Sequence, residues 1–224
     1  MNLALILGIL AVLVLHAECR SYDRHLVLKD GIFNLYYSYN ATNKMFYFKV
    51  VAKTTGWVAL AMTHEKGAEG MKNYDIILGG VKGVNTNETY IGDYWSTTTA
   101  IPSYDNKQNV ALKNAMEMDG NTTLEFSRLA DTGDTSQDIK IEKGKAVYFA
   151  WARGDKDAVS NKIFQQHGNK ASMGRGHTTV GYDMYTGKEI TTQTTTAKPP
   201  TTTGTAIVPS IAVLIITALV TLSP

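Results

Sequence analysis

Between residues 22 and 190, apolar side chains recur at every second position along the chain. In "FNLYYSY" the residues Phe33, Leu35, Tyr37 and Tyr39 share one face, and "MFYFKVVA" does the same with Phe46, Phe48, Val50 and Ala52. A period of two is that of a half-buried β-strand, in which successive side chains point to opposite faces. "GWVALAM", "TYIGDYW" and "TTLEFSRL" read as further strands, each bounded by Gly, Asp, Asn or Pro. "YDIILGG" and "AVYFAWA" are nearly unbroken apolar runs, which predicts central strands covered on both faces. No stretch carries helical periodicity. The spacing predicts one all-β domain, an antiparallel β-sandwich or barrel, with Trp57, Phe126, Phe149 and Trp151 expected in its core.

Both ends depart from this pattern. Residues 1–19 are an apolar run closing on small residues, "HAEC", which reads as a secretory signal peptide cleaved after Ala17 or Cys19. The domain is expected over residues 22–185. Residues 186–205 are rich in Thr and Pro, cannot bury a core and read as an extended, O-glycosylated stalk. Residues 206–224 are apolar, hold no charge and stop at Pro224 without a basic flank. That asymmetry favours a GPI-attachment signal, joined at a small residue between Thr194 and Gly204, over a transmembrane helix. The expected location is the extracellular face of the plasma membrane.

Composition changes this picture in two places. Cys19 is the only cysteine, so the folded part has no disulfide, no thiolate metal site and no cysteine nucleophile. The formal charge of +2, with basic residues spread along the chain, gives no stripe suited to nucleic acid. Asn-x-Thr sequons at Asn40, Asn87 and Asn121 agree with a secretory route.

Two segments hold candidate chemistry. "GAEGMKNYDIILGG" puts Met71 in a Gly-bracketed polar loop, where a thioether either covers the core as a gap-filler or serves as a soft ligand. "LEFSRLADTGDTSQDIKIEKGK" sets Arg128 before an acidic run, so Arg128 is expected to pair with Asp131, Asp134 or Asp138 and hold the turn. The same three carboxylates are oxygen donors of the type calcium takes, without the spacing and glycine of an EF-hand.

In order, "TTGWVALAMTHEKGAEGMKNYDIILGGV", "DYWSTTTAIPSYDNKQNVAL" and "TTLEFSRLADTGDTSQDIKIEKGKAVYFAWARG" resemble the DOMON domain, named for dopamine β-monooxygenase. They match its Gly-Trp strand, Gly-rich loop and Asp-initiated strand, its Pro-x-x-Asp segment, and its Arg and Asp turn with a closing Ala-x-Gly strand. The likeness runs from about His25 to Val180. It implies an immunoglobulin-like β-sandwich binding b-type haem or, in some relatives, a sugar. Haem-binding members, such as the cytochrome domain of cellobiose dehydrogenase, use one Met and one His as axial ligands.

The resemblance assigns the Met to Met71 and the His to His167, with His177 in reserve. Met62 alternates to the opposite face of its strand, Met173 is a further reserve, and His64 is a neighbour of the Met71 loop or a solvated turn residue. Tyr74, Ile76, Phe149 and Phe164 are expected to wall the pocket. No Cys-x-x-Cys-His is present, so any haem is held non-covalently. Met–His ligation fills both axial positions and suits electron transfer. Two functions remain open: a tethered electron carrier with an extracellular redox partner, or a haem-free recognition module for a carbohydrate or protein. No catalytic constellation of an enzyme is visible.

Overall fold

The structure, a computed structural model, describes residues 20–67, 70–83, 88–160, 163–167 and 174–191. The expected signal peptide, most of the stalk, the apolar tail, Asn87 and Met173 lie outside them. Among the described residues there are thirteen strands and no helix. They are β1 (Arg24–Lys29), β2 (Phe33–Asn40), β3 (Met45–Ala52), β4 (Val58–Thr63), β5 (Tyr74–Val81), β6 (Thr89–Ser96), β7 (Ser103–Tyr104), β8 (Val110–Met118), β9 (Asn121–Leu129), β10 (Ala146–Arg153), β11 (Arg175–His177), β12 (Gly181–Asp183) and β13 (Lys188–Ile190). One sheet has the order β1-β2-β3-β9-β8; the other runs β13-β12-β10-β4-β5-β6-β7, with β11 also paired to β10. All pairings are antiparallel, and the fold is an all-β sandwich.

The alternation read from the sequence decides which side chains meet between the sheets. Phe33, Leu35 and Tyr37 from β2, Phe46, Phe48 and Val50 from β3, and Leu124 and Phe126 from β9 face Val58, Leu60 and Met62 from β4, Ile77 from β5, and Val147, Phe149 and Trp151 from β10. Rings stack within this layer, Phe48 on Phe126 at 5.0 Å and Phe33 on Trp151 at 5.2 Å between centroids. Such offset aromatic pairs add roughly 0.5–1.5 kcal/mol each beyond the area they bury.

The second sheet is covered on its other face as well. Every residue of β4 and β5 is buried, as the apolar run of "YDIILGG" predicts. A separate apolar cluster lies there: Trp57, Ala59, Ala61, Tyr74, Ile76, Leu78, Tyr94, Tyr148, Ala150 and Ala158, with Met71 and Phe164 packed against it. All its strand residues belong to the second sheet, so what covers them is loops. Of the sequons, Asn40 is exposed at the end of β2 and Asn121 is partly buried at the start of β9.

Candidate functional site

The loop-covered face carries a cavity of about 380 Å³, within the roughly 300–1,000 Å³ usual for small-molecule sites. Its floor follows from strand register. β4 and β10 are neighbours, with Ala61 opposite Ala150 and Ala59 opposite Ala152. Four short side chains on one face leave a flat depression, and the taller Tyr74, Ile76 and Leu78 of β5 rise beside it. Trp57, Thr99, Pro102 and Phe164 complete the wall.

Met71 and His167 both line this cavity, and so does His177. Met71 stands in the loop before β5 with φ 55°, between Gly70 at φ 68° and Asn73 at φ 52°. A non-glycine residue held in the left-handed region costs about 1–3 kcal/mol, and such residues cluster at ligand sites. His167 is reached through the 163–167 segment, which Trp57 holds. The indole Nε1–H donates to the Gln165 carbonyl at 3.1 Å, and the Trp57 ring meets Phe164 edge-on at 5.8 Å. His177 lies on β11 opposite Ala150 and is exposed.

Of the expected wall residues, Tyr74, Ile76 and Phe164 line the cavity and Phe149 does not. Phe149 is paired in register with Met62, and both side chains point into the inter-sheet core. The period of two that sends Ala150 outward sends Phe149 inward. Met62 is thereby removed as a competing thioether. Trp57 is buried, as expected, in the second apolar cluster, where it also walls the cavity; Trp151 belongs to the inter-sheet core and also touches the cavity. His64 is not at the cavity: its Nδ1 lies 2.8 Å from the Ala146 carbonyl and its Nε2 3.0 Å from that of Lys140.

The glycine of "ARG" has a clear role here. A Cβ on Gly154 would stand 2.1 Å from Nε1 and 2.5 Å from Cδ1 of Trp57. The backbone cannot retreat easily, because the Gly154 N–H donates to the Trp57 carbonyl at 2.9 Å and its own carbonyl accepts the Thr54 hydroxyl at 2.6 Å. Gly154→Ala is expected to displace the indole, cost about 1–3 kcal/mol as overpacking does, and release the His167 segment. Thermal unfolding checks the first effect, and faster proteolysis within residues 158–167 checks the second.

Arg128 does not pair with the acidic run that follows it. It is fully buried and crosses from β9 to the second sheet, where its Nη1 donates to Asp75 on β5. Its Nη2 donates to the Ile139 carbonyl at 2.8 Å, so Arg128 does hold the turn, through backbone. Asp131 pairs with exposed Lys140 at 2.8 Å. Asp134 accepts from the N–H and hydroxyl of Ser136 at 3.0 and 2.7 Å, and from Gln137 N–H at 3.2 Å. These bonds lower its pKa, the Ser136 hydroxyl contributing most. The calcium reading of Asp131, Asp134 and Asp138 therefore fails for the first two. Burial works against the Arg128 charge, but the facing carboxylates, Asp75 first and then Asp138, raise its pKa overall.

A family model, the DOMON domain, matches residues 29–154. DBH-like monooxygenase protein 1 of Gallus gallus is 29% identical over 141 residues, which cover 63% of this chain and 22% of that protein. The chain therefore spans about a fifth of the length of this curated relative. Among solved structures, the cytochrome b domain of pyranose dehydrogenase from Coprinopsis cinerea aligns with a TM-score of 0.51 at 15% identity, covering 70% of this chain and 78% of that one. The cytochrome domain of Myriococcum thermophilum cellobiose dehydrogenase aligns at 0.45 and 14% identity, over 65% and 72%.

Proposed function

The chain belongs to the DOMON family, and from that premise we propose that it binds a b-type haem through Met71 and His167 and carries single electrons. The observation that carries this reading is the meeting of a thioether and an imidazole on one apolar cavity with a flat alanine floor. The group fits the residues present: soft sulfur and imidazole nitrogen are a donor pair for haem iron, and the walls are apolar. A fold shared with a solved cytochrome b domain supports it. Haem, when bound, would supply one-electron redox chemistry. The protein's own residues would hold it, exclude water and set its potential. Arg175, exposed at the cavity, offers positive charge to acidic groups of a ligand.

The remaining reading concerns place. The apolar ends and the Thr/Pro stalk make this a carrier tethered at the outer membrane surface, glycosylated at Asn40, Asn87 and Asn121, with an extracellular redox partner.

The test is direct. The full chain, purified in detergent and supplied with haemin, is expected to bind one equivalent and to give sharp visible bands on reduction with dithionite. A spectrum no different from free haemin would overturn the cytochrome reading and leave recognition of a carbohydrate or protein at the same cavity.

A further inference from the structure

The large apolar side chains that stand out of the described surface fall into two groups. Val27, Met116, Met118 and Leu129 are scattered along β1, β8 and β9 of the first sheet, and isolated apolar residues of this kind are ordinary. The other three are loop residues beside the cavity. Val159 is 74% exposed, Ile101 73% and Ile163 60%.

Each is rooted in the cavity wall. Ile101 precedes Pro102, which lines the cavity with Thr99 from the loop joining β6 to β7, and Ile163 precedes Phe164, which lines it from the segment after β10. Val159 and Ile163 share one tight turn: the N–H groups of Val159 and Ser160 both donate to the Ile163 carbonyl, at 2.8 and 3.2 Å. The two loops are neighbours, because the Phe164 ring meets Tyr94 at 5.8 Å and Tyr94 pairs with Tyr104 across the strands that the Ile101 loop joins. The turn is also held at its base, where the Ala158 N–H donates to the Tyr90 hydroxyl at 3.0 Å and the Ala158 side chain is buried. Three aliphatic tips therefore project from fixed roots.

Their chemistry selects the partner. Protein interfaces are anchored by Trp, Tyr and Arg in packed patches, whereas single Ile and Val tips on separate loops suit a solvent that closes around each of them, as the acyl boundary of a bilayer does. Charge agrees with this. Arg175, which lines the cavity, and Lys72, next to Met71, are exposed cations, and among the described residues no carboxylate lines the cavity, so the phosphates of lipid headgroups find positive charge there. The chain's own sequence supplies the proximity. The apolar, uncharged residues 206–224 begin fifteen residues after Thr191, a reach of about 50 Å at most. A domain tied to a bilayer at that range needs only weak insertion to settle on it, because the second contact is intramolecular.

We infer that the domain lies with its cavity against the lipid surface, with Ile101, Val159 and Ile163 inserted at the boundary between headgroups and acyl chains. The cavity then opens at lipid, and its apolar ligand passes between bilayer and protein without crossing water. This rests on the tethered reading of the chain and not on haem, so the test is made on haem-free protein.

The full chain is reconstituted in phosphatidylcholine vesicles, and a fluorophore is placed by Ile101→Cys, Ile163→Cys or, on the other sheet, Val27→Cys, each with Cys19→Ser so that one thiol is present. Fluorophores at 101 and 163 are expected to lie about 5–10 Å into the boundary and to be quenched by nitroxide-labelled lipids about twice as strongly as the one at 27, or more. Val159→Asp should bring the signal at 101 down to that at 27 while leaving the unfolding midpoint unchanged, since the residue is mostly exposed. Equal quenching at all three positions, in protein that floats with the vesicles, overturns this inference alone and leaves the three tips to a protein partner. Protein that does not float overturns the tether and the inference together. Full quenching retained in Val159→Asp overturns it as well, because the tips would not be what enters the lipid.

Discussion

Arg128→Met is expected to lose about 3–5 kcal/mol of stability, the cost of leaving a buried charge without its partner. The guanidinium is 1% exposed and Asp75 0%. It joins three separate pieces of chain at once: Asp75 on β5, the Ile139 carbonyl in the turn before β10, and its own strand β9 in the opposite sheet. Methionine fills much of the volume but returns none of this, and the carboxylates of Asp75, Asp93 and Asp138 then face one another unopposed. Arg128→Lys should fall between, because a single ammonium cannot reach both Asp75 and the Ile139 carbonyl in the way a planar fork does. Lys140→Ala serves as the control: its pair with Asp131 is 2.8 Å long but about half exposed on both sides, and no measurable change is expected. Urea unfolding with a constant m-value gives the comparison. If Arg128→Met stays as stable as the Lys140 variant, the inter-sheet pair is not what holds the sheets in register.

The strands that alternate cleanly were the legible part of the fold. β2 and β3 each have one core face and one more exposed face, so the period of two marks them in the sequence. β8 does not announce itself. It is an edge strand, and its pairing with β9 shifts register between Leu112 and Asn114, which breaks the alternation partway along "VALKNAMEM". β11, β12 and β13 are three residues each, too short for any period to appear. In β4 and β5 both faces are buried, and burial on both sides erases the pattern that separates core from cavity. β10 is likewise buried on both faces from Val147 to Trp151, which is why Phe149 was expected at the pocket wall as well as in the core, where it lies. The alanines at 59, 61, 150 and 152 were the available signal: small residues at alternate positions of two strands mark a surface kept low. The partner of Arg128 was out of reach for a different reason. Asp75 is 53 residues away, and only the stacking of two sheets brings them together, whereas the nearby acids satisfy themselves locally.

Met71 and His167 are the substitutions expected to change the cavity's chemistry most. In the haem-loaded full chain, His167→Ala is expected to abolish the sharp reduced bands and weaken haem binding at least tenfold, about 1.4 kcal/mol. His177→Ala should leave both unchanged; the reverse result would transfer the ligand role to His177, which lines the same cavity. Met71→Ala should keep some haem on the imidazole but lower the reduction potential, because the soft sulfur is what raises it. The backbone supplies an independent arm. Met71 holds φ 55°, a conformation glycine adopts without strain. Met71→Gly is therefore expected to destabilise the haem-free protein less than Met71→Ala, although it removes more apolar surface, while impairing haem ligation to the same degree. A residue kept only to cover apolar surface would show the opposite order, alanine tolerated better than glycine, and haem binding indifferent to both.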